Sequence, residues 1–253
     1  MRLTLLGTGA SGGVPLYGCD CPACTRARVH SEYRRAPCSA LVESGDRRLL
    51  IDAGLMDLAE RFPAGSLHGV LLTHYHPDHV QGLFHLRWGV GAPIDVYGPP
   101  DAEGCADLYK NAGLLRFHRL TKFAPLQLGD LVITPVPLIH SKPTLGYCLE
   151  HNGQRIAYLT DTCGLPPATR EFLAGWQPQA VVLDCTHPPR AQPARNHNDL
   201  TQALAIRAEL GDPHLVLTHV SHAFDAWLMQ HPESLPASVS LARDGATVRL
   251  PSA

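Results

Sequence analysis

The chain carries little charge and no concentrated block of it. Asp, Glu, Lys and Arg make up 17% of its 253 residues, below the roughly one quarter usual for soluble domains. The formal net charge is -2 with histidine neutral, and no basic run or terminal arm follows the path of a nucleic-acid backbone. Polymeric nucleic acid is therefore not an expected partner. No apolar stretch approaches the ~20 residues of a membrane span, so no membrane partner is expected either. The opening Met1-Arg2-Leu3-Thr4-Leu5-Leu6-Gly7 reads as a strand rather than as a charged segment followed by a long apolar run and cleavage site, and the expected location is the cytoplasm. Low-complexity linkers are missing too. One α/β domain over residues 1–253 is the expectation, with a 45% hydrophobic fraction that supplies a sizeable core.

What the chain does have is histidine, fifteen in all, gathered into a few short segments. It also has eight cysteines. Cys38, Cys105, Cys148, Cys163 and Cys185 stand singly in apolar or strand-like sequence and read as buried small hydrophobes. Cys19, Cys21 and Cys24 cluster, and in a cytosolic protein such a cluster binds metal more often than it forms bridges.

Apolar runs place the elements. Leu3 to Leu6 is strand-like, and the turn Gly7-Thr8-Gly9-Ala10-Ser11-Gly12-Gly13 behind it resembles a dinucleotide fingerprint. Val14-Pro15 and Gly18-Cys19 break the helix such a fingerprint needs, which argues against a Rossmann unit. Strands are expected at 47–51, 69–73, 94–97, 131–137, 146–150, 155–159, 180–183 and 214–217. Asn152-Gly153 marks a hairpin, and a closing hairpin is expected between 239–242 and 247–250. Helices are expected at 55–62, 80–88, 101–111 and about 198–210. Helices outside two packed sheets fit this order.

The segment His74-Tyr75-His76-Pro77-Asp78-His79 places three histidines and one aspartate on a loop just beyond an apolar strand. Imidazole and carboxylate together suit zinc, manganese or iron. Three further apolar runs each end in one polar residue: His140, Asp161 and His219. If those strands end at one edge, these residues meet in space despite their separation in sequence. Two divalent ions sharing such a site would generate hydroxide near neutral pH and polarise a phosphoryl oxygen. A nearby acid would protonate the leaving alkoxide.

With His74, His76, Asp78, His79, His140, Asp161 and His219 in this order, the chain resembles the metallo-β-lactamase superfamily over essentially its whole length. The resemblance implies a four-layer αβ/βα sandwich. It also implies that His74, His76 and His140 hold one ion, that Asp78, His79 and His219 hold the other, and that Asp161 bridges them. Finer motifs, Tyr17–Cys24, Leu83–Gly91, Asp184–Arg190, Arg195-Asn196-His197 and His222–Met229, are similar to the PhnP family of phosphodiesterases of the carbon–phosphorus lyase pathway.

That similarity implies hydrolysis of small cyclic phosphodiesters, with 5-phosphoribosyl 1,2-cyclic phosphate opened to ribose 1,5-bisphosphate in phosphonate catabolism. It implies manganese, or zinc, in the active site, His197 as general acid beside Asp78 as a catalytic residue, and a homodimer. It makes His222 the fourth ligand to a structural zinc with Cys19, Cys21 and Cys24, on a loop at about 17–26. From the residues alone His197 also fits a capping or surface role. Asp52 and Asp184 fit either ligand-orienting or backbone-satisfying roles, and Arg190, Arg195 and Lys142 are candidates for a terminal phosphate. A tRNA 3′-processing nuclease, a thioesterase or a lactamase would share the metal ligands. A non-catalytic metal-binding protein would show disrupted ones.

Overall fold

The computed structural model describes residues 1–192 and 195–250, in which fourteen strands form two seven-stranded mixed sheets. The first sheet holds β1 (Arg2–Gly7), β2 (Ser39–Ser44), β3 (Arg47–Ile51), β4 (Gly69–Leu71), β5 (Ile94–Gly98) and β6 (Leu115–Arg119), side by side in that order. The second holds β7 (Leu126–Leu128), β8 (Leu131–Pro137), β9 (Leu145–His151), β10 (Gln154–Leu159), β11 (Ala180–Asp184), β12 (His214–Thr218) and β13 (Val239–Leu241), likewise in order. The last strand, β14 (Ala246–Thr247), returns to the first sheet beside β1. Pairing is antiparallel from β1 to β3 and parallel from β3 to β6. In the second sheet it is antiparallel from β7 to β10 and parallel from β10 to β13.

Alternation along the strands decides what faces what. Leu49 and Ile51 of β3 point into the space between the sheets, where they join Leu3, Leu5, Leu149, Ile156 and Tyr158. Leu50 points the other way, towards Leu58, Val80, Leu83 and Leu108. Those four residues belong to, or follow directly on, the helices α2 (Leu58–Arg61), α3 (Pro77–Leu86) and α4 (Ala106–Lys110), which cover the outside of the first sheet. The outside of the second sheet is covered by α5 (Pro167–Trp176), α6 (Leu200–Glu209) and α7 (His222–Gln230), through Leu173, Ala203, Ile206 and Phe224. The four layers are therefore helix, sheet, sheet, helix, the expected αβ/βα sandwich. Each fully buried Leu contributes about 1.5–3 kcal/mol to this packing.

Several local expectations need correction. The closing hairpin does not exist: β13 pairs parallel with β12 while β14 pairs with β1 in the other sheet. The connecting turn crosses between sheets because Asp244 accepts hydrogen bonds from Thr8 Oγ1 and the Ala36 amide, both at 2.7 Å. The helix expected at 101–111 shrinks to α4, since Asp101 Oδ1 takes the Glu103 and Gly104 amides into a turn. The helix expected at 55–62 shrinks to α2, and that expected at 80–88 begins earlier, at Pro77. Asp78 and His79 thus sit in the first turn of α3 rather than on a loop. Strands β2, β6 and β7 and helices α1 (Pro22–Val29), α5 and α7 carry no expectation above. Of the lone cysteines, Cys38, Cys148 and Cys185 are buried, whereas Cys105 and Cys163 are half-buried. Among the described residues no helix is long and apolar enough to cross a membrane.

Gly82 fixes how closely α3 approaches the segment after β3. Its amide donates to the Ala53 carbonyl at 2.8 Å, and a Cβ there would come within 2.1 Å of the Leu55 carbonyl oxygen. Alanine is the better helix former by ~1 kcal/mol, yet Gly82→Ala is expected to lower the thermal midpoint and to weaken divalent-metal uptake. The added methyl pushes away the helix that carries Asp78 and His79. A variant at least as stable as the parent and with the same metal uptake would contradict this.

Candidate metal centre

Four strand ends and one helix start deliver the polar cluster. β4 runs out through Leu72 and Thr73 into His74, and α3 begins immediately after His76. On the second sheet β8 leads to His140, β10 to Asp161 and β12 to His219. His219 adopts φ +57, as does Asp52 beyond β3. Positive φ is uncommon for residues with a side chain and persists where surrounding bonds hold it. The Ala10 amide and Thr8 carbonyl bond Val220 at 3.1 and 2.8 Å on one side of His219.

The structure brings all seven predicted residues together. His76 Nδ1 lies 2.8 Å from His74 Nε2 and 3.0 Å from His140 Nε2. Asp78 Oδ2 lies 3.5 Å from His79 Nε2 and 3.8 Å from His219 Nε2. Between the two groups stands Asp161, whose Oδ2 is 3.3 Å from His79 Nε2, 3.4 Å from His219 Nε2, 3.7 Å from His74 Nε2 and 3.9 Å from His140 Nε2.

This donor set fits divalent cations. His79 Nε2 and His219 Nε2 are buried and have no hydrogen-bond partner, a state polar atoms rarely keep unless an ion or water satisfies them. The three mutually facing nitrogens of His74, His76 and His140 cannot all be satisfied by one another's protons.

Electrostatics agree with that fit at His74, His76, Asp78, His140 and Asp161, but not at His79. Burial, reinforced by the neighbouring His79, holds His74 well below the usual imidazole range. His76 and His140 are also lowered, chiefly by burial. Burial pushes Asp161 upward, but His219 and His79 outweigh it and keep the carboxyl well below its ordinary value. Burial likewise works against Asp78, which the facing imidazoles of His219 and His79 hold low. Lowered imidazoles such as His74, His76 and His140 beside ionised carboxylates are forms that bind metal. At His79 burial would lower the ring, but the charges of Asp161 and Asp52 raise it well above the usual imidazole range, so a cation at its Nε2 would displace a proton.

The residues around the cluster aim it. Asp52 Oδ2 is 2.8 Å from His79 Nδ1, which leaves Nε2 facing the centre, and Asp52 also accepts the Thr73 amide and hydroxyl at 2.8 Å. Asp52 therefore fills both roles open to it from sequence. Asp184 accepts the Thr162 amide at 2.9 Å and the Thr186 hydroxyl at 2.9 Å, and Thr186 Oγ1 lies 2.8 Å from His219 Nδ1. The imidazole that Asp184 touches directly is His197, at 2.8 Å through Nδ1. Burial would lower His197, but the charge and hydrogen bond of Asp184 raise it to about 9. Its ring stacks on His219 with centroids 4.7 Å apart.

Sequence reasoning missed Thr73 and Thr186, whose only signal is adjacency to a ligand or carboxylate. It also missed the Asn196 carbonyl, 3.1 Å from His140 Nδ1. Ser11, Ser141 and Asn196 line the open cleft in front of Asp161 and His197. Arg190 and Arg195 line an adjoining cleft with His187 and His197. Lys142 is turned to Asp101, at 3.9 Å.

A second cluster lies outside this cleft. One donor atom from each of Cys19, Cys21, Cys24 and His222 falls within 4.8 Å of the others. His222 Nδ1 is 3.4 Å from Cys19 Sγ and 3.5 Å from Cys21 Sγ. The 17–26 segment is a loop running into α1, with Cys24 in the first turn. A backbone hydrogen bond from Cys21 lowers the Cys19 thiol, while burial raises Cys24 to about 11. Three sulfurs and one imidazole with no carboxylate are a donor set suited to tetrahedral zinc.

Comparison with known proteins agrees with this geometry. Residues 47–220 match the family described as a beta-lactamase superfamily domain. An octanoyltransferase of Porphyromonas gingivalis is 30% identical over 97% of this chain, which spans about half (51%) of that protein's length. A ribonuclease Z of Methanopyrus kandleri is 27% identical over 89% of this chain and 95% of its own. Among solved structures, "a New Diphosphatase from the PhnP Family" superposes with a TM-score of 0.82 at 29% identity, covering 98% of this chain and 97% of that one.

Because Asp52 fixes the tautomer and bearing of His79, Asp52→Asn is expected to weaken divalent-metal binding about 10–100-fold. Competition with a chelator measures this; an affinity within about two-fold of the parent would show that Asp52 only satisfies Thr73.

Proposed function

The chain belongs to the metallo-β-lactamase superfamily, and on that premise we propose that it is a metal-dependent phosphodiesterase acting on small cyclic phosphodiesters. The favoured substrate is 5-phosphoribosyl 1,2-cyclic phosphate, opened to ribose 1,5-bisphosphate. In this proposal His74, His76 and His140 hold one divalent ion, Asp78, His79 and His219 hold a second, and Asp161 is shared. Manganese is the favoured ion and zinc the alternative. Bound there, the ions supply Lewis acidity to the phosphoryl group and to the attacking water.

The observation that carries the choice of reaction is the His197–Asp184 pair at the cleft wall. An alkoxide leaving group needs a proton as the P–O bond breaks, and His197, held by Asp184 and raised to about 9, is poised to donate it from Nε2. A thiolate leaving group has far less need of that proton, so the pair favours a phosphodiester over a thioester. The open cleft bounded by Ser11, Ser141 and Asn196 suits a small substrate. The similarity to ribonuclease Z keeps RNA cleavage as the second reading, and the PhnP-family diphosphatase makes a diphosphate the third.

Hydrolysis assays with manganese-loaded protein test this. The parent is expected to open 5-phosphoribosyl 1,2-cyclic phosphate, Asp161→Ala to be inactive, and His197→Ala to lose about 10²–10⁴-fold. With an aryl diester, whose leaving group needs no proton, His197→Ala is expected to lose much less. No turnover of the cyclic diester alongside cleavage of a tRNA precursor, a diphosphate or a thioester would keep the metal centre and sink the substrate assignment.

A further inference from the structure

The mechanism leaves unused a charged pair buried behind both clusters. Arg35 and Asp225 have side chains only 6% and 4% exposed. Arg35 Nε donates to Asp225 Oδ2 at 2.7 Å and Nη2 to Oδ1 at 3.0 Å, while Nη1 donates to Thr8 Oγ1 at 2.8 Å and to the Ala242 carbonyl at 2.6 Å. Stability alone is a poor reason for such a pair, because replacing a buried ion pair by apolar residues of similar volume is often neutral or better. What a guanidinium fork adds is direction: its donors leave at fixed bearings.

Contacts of the pair, through backbone and side chains, lead to both clusters. The Arg35 backbone exchanges hydrogen bonds of 3.0 and 2.9 Å with Val14, at the root of the loop that carries Cys19 and Cys21. Asp225 sits one turn along α7 from His222, the fourth donor of the thiolate cluster. Thr8 receives the guanidinium on its hydroxyl and bonds Val220, the neighbour of His219, through its carbonyl. Only Val220 and Ser221 separate His219 from His222, so these contacts converge on the segment that carries both.

We infer that the Arg35–Asp225 pair is a positioning device that ties the Cys19/Cys21/Cys24/His222 cluster to His219, so that a cation in the thiolate cluster tightens ion binding at the His/Asp centre. The inference rests on both clusters being metal sites. By linkage the effect is reciprocal, and couplings of this kind typically span about 5–150-fold in affinity.

Metal titration tests it without any substrate. Cobalt(II) reports the thiolate cluster through its thiolate charge-transfer band, and loss of the free manganese(II) resonance reports uptake at the His/Asp centre. In the parent protein, filling the thiolate cluster first is expected to tighten manganese uptake at least about five-fold. The double variant Arg35→Met/Asp225→Leu is expected to keep its melting temperature and to bind both ions with that coupling lost. Persistence of the coupling in the double variant, or its absence from the parent, overturns the inference. If the double variant does not fold, Arg35→Lys decides, since it keeps the charge and loses the fork: undiminished coupling there overturns the proposal. Absence of the cobalt–thiolate band removes the premise of a thiolate metal site and the inference with it, and leaves the phosphodiesterase assay above untouched.

Discussion

One carboxylate oxygen, Asp161 Oδ2, lies within 3.9 Å of four imidazole nitrogens drawn from both halves of the sandwich. His74 and His79 reach it from the first sheet and α3, His140 and His219 from the second sheet. A buried carboxylate is costly unless positive charge or hydrogen bonds compensate it, so the two sheets have to meet at this edge and in this register.

The edge is stitched by contacts that have no direct part in chemistry. The Leu145 amide donates to the Thr73 carbonyl at 2.9 Å, joining the start of β9 to the residue before His74. The Tyr147 hydroxyl donates to the Leu72 carbonyl. Ser39 Oγ donates to the Asp52 carbonyl at 2.8 Å, and Cys38 sits between the hydroxyls of Tyr158 and Thr218 at 3.4 and 3.3 Å. Each contact spans elements that deliver a donor to the centre or hold one in place. A rigid edge of this kind would place the donor atoms before any cation arrived, which would lower the reorganisation that metal binding requires.

The candidate ligands were legible in sequence because metal chemistry demands particular atoms at high local density. His74 to His79 concentrates three imidazoles and a carboxylate in six residues, and His140, Asp161 and His219 each end an apolar run. The sandwich was legible from runs such as Leu49-Leu50-Ile51. Partnership between distant segments was not. The turn at 243–246 has the same local chemistry whether its flanking strands pair with each other or with different sheets, and only Asp244 reaching Thr8 and Ala36 decides it. β6 escaped because this short edge strand, Leu-Arg-Phe-His-Arg, alternates but offers only Leu115 and Phe117 as apolar residues, too few to mark a strand. The split of Asp52 and Asp184 between His79 and His197 depends on side-chain bearings, and Arg35 meets Asp225 across 190 positions of chain.

The proposal that two ions share Asp161 is tested most directly by manganese uptake measured together with electron paramagnetic resonance. With the thiolate cluster already filled, two ions per chain are expected, magnetically coupled through the shared carboxylate, and Asp161→Asn is expected to abolish the coupling. A single uncoupled ion in the parent, or a coupled pair that survives in Asp161→Asn, would contradict a centre built around that carboxylate.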